Sequence, residues 1–178
     1  MATRKLGIDV SKWQKSGVDY KKAKEEGVEF VFIRIGYNKT KDPYFEADYA
    51  KAIAAGLKVG VYHYTISTKE SEGGSDATRV LGWLNGRHLD FPVGYDIEDA
   101  KQKSSSRRAV NSAMYESFRS VIEKDGHYDA ILYTGEFFYN NYFDKSKVTD
   151  DLWIAKYSNT SPSVGRQVSI WQFSSAPI

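Results

Sequence analysis

Two acidic residues separated by a single position stand out in this sequence. Asp96 and Glu98 lie in the segment YDIED, residues 95–99, at the end of an apolar run that begins at Val93. Alternate residues of a strand face the same side and are about 6.6 Å apart, so both carboxylates project into one cleft. Like charges this close resist joint ionisation, which raises the pKa of one carboxyl. A protonated acid beside an ionised partner can protonate a glycosidic oxygen and stabilise a positive sugar centre.

Asp9, near the end of the first apolar segment, adds a third carboxylate from a neighbouring strand. Three carboxylates could also hold magnesium, which usually acts on phosphates. The sequence contains neither a G-x-x-x-x-G-K-[ST] nor a G-x-G-x-x-G phosphate loop, no cysteine, and only three histidines. We therefore expect no metal and no other cofactor.

Further polar and aromatic residues fall at the ends of the other apolar segments. Parallel βα barrels build their active sites at the carboxyl ends of their strands, so we expect these side chains to share one cleft. His63 has the parity opposite to its two tyrosine neighbours and is expected to face the helices. Trp13, in the loop after the first strand, is a candidate for stacking on a sugar. The candidates for substrate contact are Arg34, Tyr37, Tyr62, Tyr64, Tyr133 and Gln172.

The elements that must position these residues alternate between strand and helix. Apolar strand candidates cover residues 6–10, 28–35, 58–64, 93–97, 130–134, 152–155 and 168–173, and helical patterns separate the first five. Three helices end at Gly27, Gly56 and Gly126, each shortly before a strand. This repeat predicts a parallel sheet covered by helices. Since the glycine fingerprints of open-sheet nucleotide binders are missing, we favour an irregular barrel of seven to eight mostly parallel strands.

Local sequence patterns predict where two of the helices begin. Asp42-Pro43 predicts an aspartate cap followed by a proline in the first turn. Ser75 is predicted to cap the next helix, with the preceding Gly73-Gly74 pair in a flexible loop.

The composition of the chain excludes several classes of protein. A chain of 178 residues fits one domain, 1–178, and the net charge of +2 is too balanced for a nucleic-acid protein recognised by charge. No apolar run is long enough for a membrane span, and the first residues lack the apolar core of a signal peptide. The aromatic content of 15% is high and favours a site for flat ligands or sugars.

Six stretches, in order along nearly the whole chain, resemble the family-25 glycoside hydrolases, or Chalaropsis-type lysozymes. The resemblance implies a modified α/β barrel that cleaves peptidoglycan between N-acetylmuramic acid and N-acetylglucosamine. It makes Glu98 the general acid/base, Asp96 its partner, Asp9 a further site carboxylate and Tyr62 a substrate contact, and it adds contacts from Arg34, Tyr133 and Trp153. The stretches cover residues 7–13, 30–37, 55–64, 95–98, 152–157 and 170–173.

One departure from the family concerns the end of the barrel. The family usually continues past the Trp171-Gln172 motif to a last strand that carries another aspartate, and this chain stops at Ile178. We therefore expect a fragment of a longer enzyme, or another segment that covers the gap beside the first strand.

The expected function is that of a monomeric muramidase acting at the bacterial cell wall, with the 2-acetamido group of the substrate taking part. Such an enzyme can carry a C-terminal wall-binding region outside this chain, and the lack of a signal peptide favours a phage endolysin. The alternatives are a chitinase-like hydrolase or a non-catalytic wall-binding module.

Overall fold

The computed structural model describes residues 4–15 and 17–176. Eight strands and five α-helices alternate along most of the chain. The helices are α1 (Tyr20–Glu25), α2 (Phe45–Ala54), α3 (Glu70–Leu84), α4 (Arg108–Lys124) and α5 (Glu136–Tyr142). The strands are β1 (Leu6–Val10), β2 (Val28–Tyr37), β3 (Thr40–Lys41), β4 (Lys58–Tyr64), β5 (Val93–Asp96), β6 (Ala130–Gly135), β7 (Leu152–Ala155) and β8 (Ile170–Gln172).

Seven strands form one parallel sheet in the order β1-β2-β4-β5-β6-β7-β8, and the short β3 pairs antiparallel with β2. The sheet curls without closing: in the part of the chain that the structure describes, β1 and β8 do not pair as strands. This confirms the predicted TIM-like α/β architecture of mostly parallel strands, with the barrel left open on one side. The expectation that another segment covers this gap stays a prediction.

Strand parity divides the apolar side chains between two cores. In β2, Val31, Ile33 and Ile35 are buried against the helices, whereas Phe30 and Phe32 face the inside of the curl. The inner cluster is centred on Phe32, Ile131, Tyr133 and Trp153. Because Arg34 shares the parity of Phe32, the same alternation directs it inward, toward the polar end of the curl.

Glycines make room for the inner aromatic rings. A Cβ atom on Gly7 would lie 2.1 Å from the Phe30 ring, and one on Gly60 would lie 2.5 Å from the Phe32 ring. Side chains at these two positions would collide with rings that fill the curl. The inside of the curled sheet is therefore filled with side chains, which form a floor beneath the carboxyl ends of the strands.

Helices α3 and α4 pack closely, and their contact corrects one sequence prediction. Helix α3 begins at Glu70, so Gly73, Gly74 and Ser75 lie inside it, and neither the predicted loop nor the predicted Ser75 cap exists. A Cβ on Gly73 would lie 2.1 Å from the backbone carbonyl oxygen of Met114 in α4. The glycine is there because two helix backbones nearly touch, and tertiary contact outweighs its weak helix propensity.

Candidate functional site

The acidic residues predicted from the sequence lie at the carboxyl ends of their strands. Asp9 is in β1 and Asp96 is the last residue of β5. Glu98 follows β5 in a segment that stays attached to β6, since the Ile97 amide donates to the Tyr133 carbonyl (3.1 Å) and the Thr134 hydroxyl donates to the Ile97 carbonyl (2.7 Å). The strand direction is thus extended past β5, and the negative charge of Glu98 contributes to raising the pKa of Asp96.

Burial separates the two carboxylates of the D-x-E pair. Asp96 is only 4% exposed, and its Oδ1 has no hydrogen-bond partner among the described residues. Glu98 reaches solvent at the mouth of the cleft, and an added Cβ on Gly135 would lie 3.9 Å from its Oε2 atom. The deeper acid is therefore shielded from water, while the outer one is open to a ligand.

All three carboxyl groups bind protons more tightly than usual. Burial, followed by the negative charges of Glu98 and Asp9, raises the pKa of Asp96 well above its ordinary value of 3.8. Partial desolvation between the cleft walls, followed by the charge of Asp9, raises the pKa of Glu98. Burial raises the pKa of Asp9, and a hydrogen bond from Gln172 partly offsets this increase. The cluster therefore holds protons at pH values where isolated carboxyls have lost them.

Gln172 ties the two edges of the open sheet together. Its Nε2 donates to Asp9 Oδ2 (2.6 Å), and its Oε1 accepts from the hydroxyls of Tyr133 (2.9 Å) and Tyr157 (3.3 Å). These partners come from β1, β6 and the end of β7. A residue predicted as a substrate contact thus also fixes three neighbouring side chains.

Arg34 is held by an aspartate that the sequence analysis assigned to another role. Arg34 Nε donates to Asp42 Oδ2 (2.9 Å), its NH2 group is 2.8 Å from the same oxygen, and both side chains are almost fully buried. Asp42 also accepts from the backbone amides of Lys12 and Tyr44. The predicted cap of α2 is therefore wrong: α2 begins at Phe45, after Tyr44, and makes no side-chain cap hydrogen bond.

Aromatic residues form the floor beneath the carboxylates. Trp153 is 3% exposed, and its ring centre lies 4.3 Å from that of Phe32 and 4.7 Å from that of Tyr133. Tyr62 meets Trp153 edge-on at 5.8 Å and remains partly exposed. Trp153 thus supports the tyrosines from below, and its predicted substrate contact stays a prediction.

Exposed aromatic residues surround the same strand ends. Tyr37 and Tyr64 stack with ring centres 5.3 Å apart, and the Tyr64 hydroxyl donates to Asp99 (3.2 Å). Among the described residues, six large apolar side chains are exposed, and all but Ile53 lie at or beyond the carboxyl end of a strand. They are Trp13, Tyr37, Phe137, Tyr157 and Phe173. A rim of this kind suits a ligand with flat apolar faces.

His63 lies outside this cleft, as its parity predicted. It is fully buried and stacks on Tyr95, with Nε2 3.8 Å from Asp76 Oδ2. Asp76 accepts hydrogen bonds from the hydroxyls of Tyr95 (2.8 Å) and Thr65 (2.8 Å). This network joins the back of the sheet to α3, so it is structural.

The described ranges 4–15 and 17–176 contain no group of three or more acidic, histidine or cysteine side chains placed to hold a metal ion. Within the same residues, no helix has the length and apolarity that a membrane crossing requires.

The roles of two residues of the site, Asp42 and Asp99, were not predicted, because the local sequence around each was ambiguous. Asp42 looked like a helix cap, but a turn at Asn38, whose φ is +52°, folds β3 back on β2 and returns Asp42 to Arg34. Asn38 in a short polar stretch after a strand was the signal for that hairpin. Asp99 was visible in the acidic segment but gave no sign of its bond to Tyr64.

A parallel α/β half-barrel with coupled carboxylates at its strand ends and aromatic walls around them is the architecture of a glycoside hydrolase. The model of the glycosyl hydrolases family 25 matches residues 8–178. The chain belongs to this family, as its motifs indicated.

Individual relatives agree with this assignment. The chain is 30% identical over 169 residues to an autolytic lysozyme of Clostridium acetobutylicum, covering 94% of this chain and 50% of that protein. It is 26% identical to the solved structure of a muramidase from Trichobolus zukalii, with a TM-score of 0.74 and coverage of 96% and 87%. The modular autolysin LytC from Streptococcus pneumoniae, solved with a synthetic peptidoglycan ligand, shares the fold at 19% identity, with a TM-score of 0.82 and coverage of 98% and 43%. The chain spans about half to three-fifths of the length of the curated relatives it matches.

Proposed function

We propose that this chain is a muramidase that hydrolyses the β-1,4 bond between N-acetylmuramic acid and N-acetylglucosamine in peptidoglycan. The observation that carries the proposal is the acidic cluster of Asp9, Asp96 and Glu98 at the strand ends, where the pKa of every member is raised. Relatives named as lysozymes and muramidases support this substrate. The protein then acts at the bacterial cell wall, and residues 1–178 serve as one catalytic domain.

Glu98 is the proton donor in this proposal. It faces solvent where a leaving oxygen can approach, and its raised pKa keeps it protonated to a higher pH than an ordinary glutamate. Asp96 lies deeper, beneath the position of the reacting sugar. Its carboxylate is the proposed acceptor for the substrate's acetamido N–H, which approaches through the 4% of Asp96 that is exposed.

Substrate binding then determines which of the two carboxyl groups, Asp96 or Glu98, carries the proton. A hydrogen bond from the acetamido N–H favours the ionised form of Asp96, so the proton shared by the pair moves to Glu98. The acetamido carbonyl oxygen attacks the anomeric carbon while Glu98 protonates the departing oxygen, and the ionised Asp96 stabilises the positive nitrogen. Water, activated by Glu98, opens the cyclic intermediate. In this proposal the hydroxyl of Tyr62, on the inner floor, orients the acetamido group.

The remaining predicted contacts have supporting roles. Arg34, fixed by Asp42, supplies a positive charge that lowers the pKa of Asp96 against the larger effects that raise it. Tyr37, Tyr64, Tyr133 and Gln172 line the cleft around the carboxylates. No step requires a metal, so excess chelator should leave lysis unchanged, and restoration of lost activity by magnesium would contradict this mechanism.

The experiment is lysis of purified peptidoglycan by wild type and by Glu98→Gln. The amide keeps the shape of the side chain but cannot donate the proton, so activity should fall by roughly 10² to 10⁴. Glu25→Gln is the matched control, because Glu25 is exposed at the end of α1, which leads into the amino end of β2, opposite the strand ends that carry the acidic cluster. Near wild-type lysis by a folded Glu98→Gln protein would remove Glu98 from the mechanism.

A further inference from the structure

The loop after β1 presents a cation between two aromatic rings on the rim of the cleft. Lys12 Nζ lies 5.0 Å from the centre of the Trp13 ring and 6.0 Å from that of the Tyr37 ring. Tyr37 in turn stacks on Tyr64, whose hydroxyl is bonded to Asp99, one residue after Glu98. A continuous row of side chains therefore leads from Trp13 to the proposed acid.

This row is held in place before any ligand arrives. The Lys12 amide donates to Asp42, the aspartate that fixes Arg34. Ser11 and Gln14 close a capping box around the short 3-10 turn Lys12–Gln14. The backbone of the loop is thereby tied to Asp42 and Arg34 at the floor of the site.

Lys12 differs from two other lysines that lie near the strand ends. Lys41 pairs with Glu46 and Lys156 pairs with Glu136. Among residues 4–15 and 17–176, Lys12 makes no ion pair. Its ammonium group is exposed and is stabilised only by ring faces. It is therefore available to an anionic ligand.

Trp13 is the most exposed large apolar side chain in the part of the chain that the structure describes, at 74%. An indole left in water at the mouth of an acidic cleft favours a ligand that covers its face. A pyranose ring has an apolar face suited to this contact. The neighbouring ammonium group favours a ligand that carries a negative charge near the ring.

Resting on the proposed function, we infer that Lys12, Trp13 and Tyr37 form a subsite for a sugar residue that bears a carboxylate. Trp13 stacks on the sugar ring, and Lys12 pairs with the carboxylate. In peptidoglycan this group is the lactyl carboxyl of muramic acid where no peptide is attached, or a carboxylate of the stem peptide where one is. Lys12 thus selects muramyl glycans over neutral N-acetylglucosamine polymers.

The test measures binding in a Glu98→Gln background, which preserves the ligand during calorimetry. Three ligands are compared: a peptide-free muramyl tetrasaccharide, the same glycan with stem peptides, and an N-acetylglucosamine tetramer. Lys12→Met should weaken binding of a carboxylated ligand about two- to fivefold and leave the neutral tetramer unchanged. Added salt should shrink this difference. Trp13→Ala should weaken all three, by roughly tenfold.

The controls isolate charge at this position. Lys12→Arg should restore selectivity, while Lys24→Met removes one exposed charge from α1 and should bind like the parent. If Lys12→Met weakens binding of the peptide-free glycan, the partner of Lys12 is the lactyl carboxyl. If it weakens binding of the stem-bearing glycan alone, the partner is a carboxylate of the stem peptide. Three results would overturn the inference. Lys12→Met could weaken binding of the neutral tetramer as much as that of the carboxylated ligands, or it could weaken binding of neither carboxylated ligand. The third such result is a parent protein that binds none of the three ligands.

Failure of this inference is distinguishable from failure of the proposed function. If wild type releases muramic acid reducing ends from peptidoglycan but Lys12→Met keeps the parent's selectivity, only the subsite is wrong. If wild type cleaves no peptidoglycan, the muramidase proposal itself is wrong.

Discussion

Gln172 donates a 2.6 Å hydrogen bond to Asp9 across the seam where the sheet fails to close. The two residues are 163 positions apart and lie on the first and last strands. With no strand pairing between β8 and β1 among the described residues, this side-chain contact takes the place of backbone pairing at the level of the acidic cluster. Because this hydrogen bond lowers the pKa of Asp9, the curvature of the sheet affects the protonation of Asp9.

The first prediction follows from this bond. Gln172→Met keeps the length of the side chain but removes the donor, so the pKa of Asp9 rises further. If the ionised form of Asp9 supports catalysis, the acid limb of the kcat/KM profile moves to higher pH. Gln167→Met, in the exposed loop before β8, is the control. An unshifted acid limb in a folded Gln172→Met protein would show that the bond does not govern Asp9.

The second prediction concerns the stability cost of Asp96. Its folded-state pKa lies above the unfolded value, so the favourable contribution present at low pH is lost as pH rises past 3.8 and toward the folded pKa. At pH 7 the buried carboxyl therefore contributes less to stability than an uncharged group of the same shape would. Asp96→Asn should raise the Tm at pH 7, by at least roughly 2 °C for each kcal/mol recovered, while activity collapses.

The pH dependence of that gain identifies its cause. The increase in Tm should fade below about pH 4, where the wild-type carboxyl is protonated in both states. The exposed Asp151→Asn change should alter the Tm little at either pH. A lower Tm for Asp96→Asn at pH 7 would mean that Asp96 contributes to stability as an ion.

A third prediction compares two glycines of α3. Gly82 has open space where a Cβ would stand, so Gly82→Ala should stabilise the protein by about 0.5–1 kcal/mol. Gly73→Ala would place its Cβ against the Met114 carbonyl and should destabilise by about 1–3 kcal/mol. Urea unfolding measures both. Equal effects of the two changes would refute the close contact between α3 and α4.

These examples show what the sequence could predict and what it could not. Residue types and strand periodicity were enough to predict the seven strands of the parallel sheet, because burial imposes period-two alternation, whereas the two-residue strand β3 was missed. Gly73 and Asp42 were misassigned, since each obeyed a local rule that a distant partner overrode. The Gln172–Asp9 bond depends on how far the sheet curls, which no local pattern encodes.

The fourth prediction concerns the route of the reaction. Participation of the acetamido group requires net retention at the anomeric carbon and no sugar bonded to the protein. NMR of the products in the first minutes of hydrolysis, with mass spectrometry of trapped enzyme, measures both. Initial release of the inverted anomer would eliminate this route, whereas an adduct on Asp96 would replace it with direct nucleophilic attack.

The muramidase proposal depends on which of two alternating bonds is cut. Peptidoglycan digested by the wild-type protein is reduced with borohydride and hydrolysed, and the amino-sugar alcohols are quantified. Cleavage after N-acetylmuramic acid predicts that muramitol accumulates during digestion and that Glu98→Gln suppresses it. Accumulation of glucosaminitol instead, or binding to the wall without any new reducing ends, would contradict the proposed function.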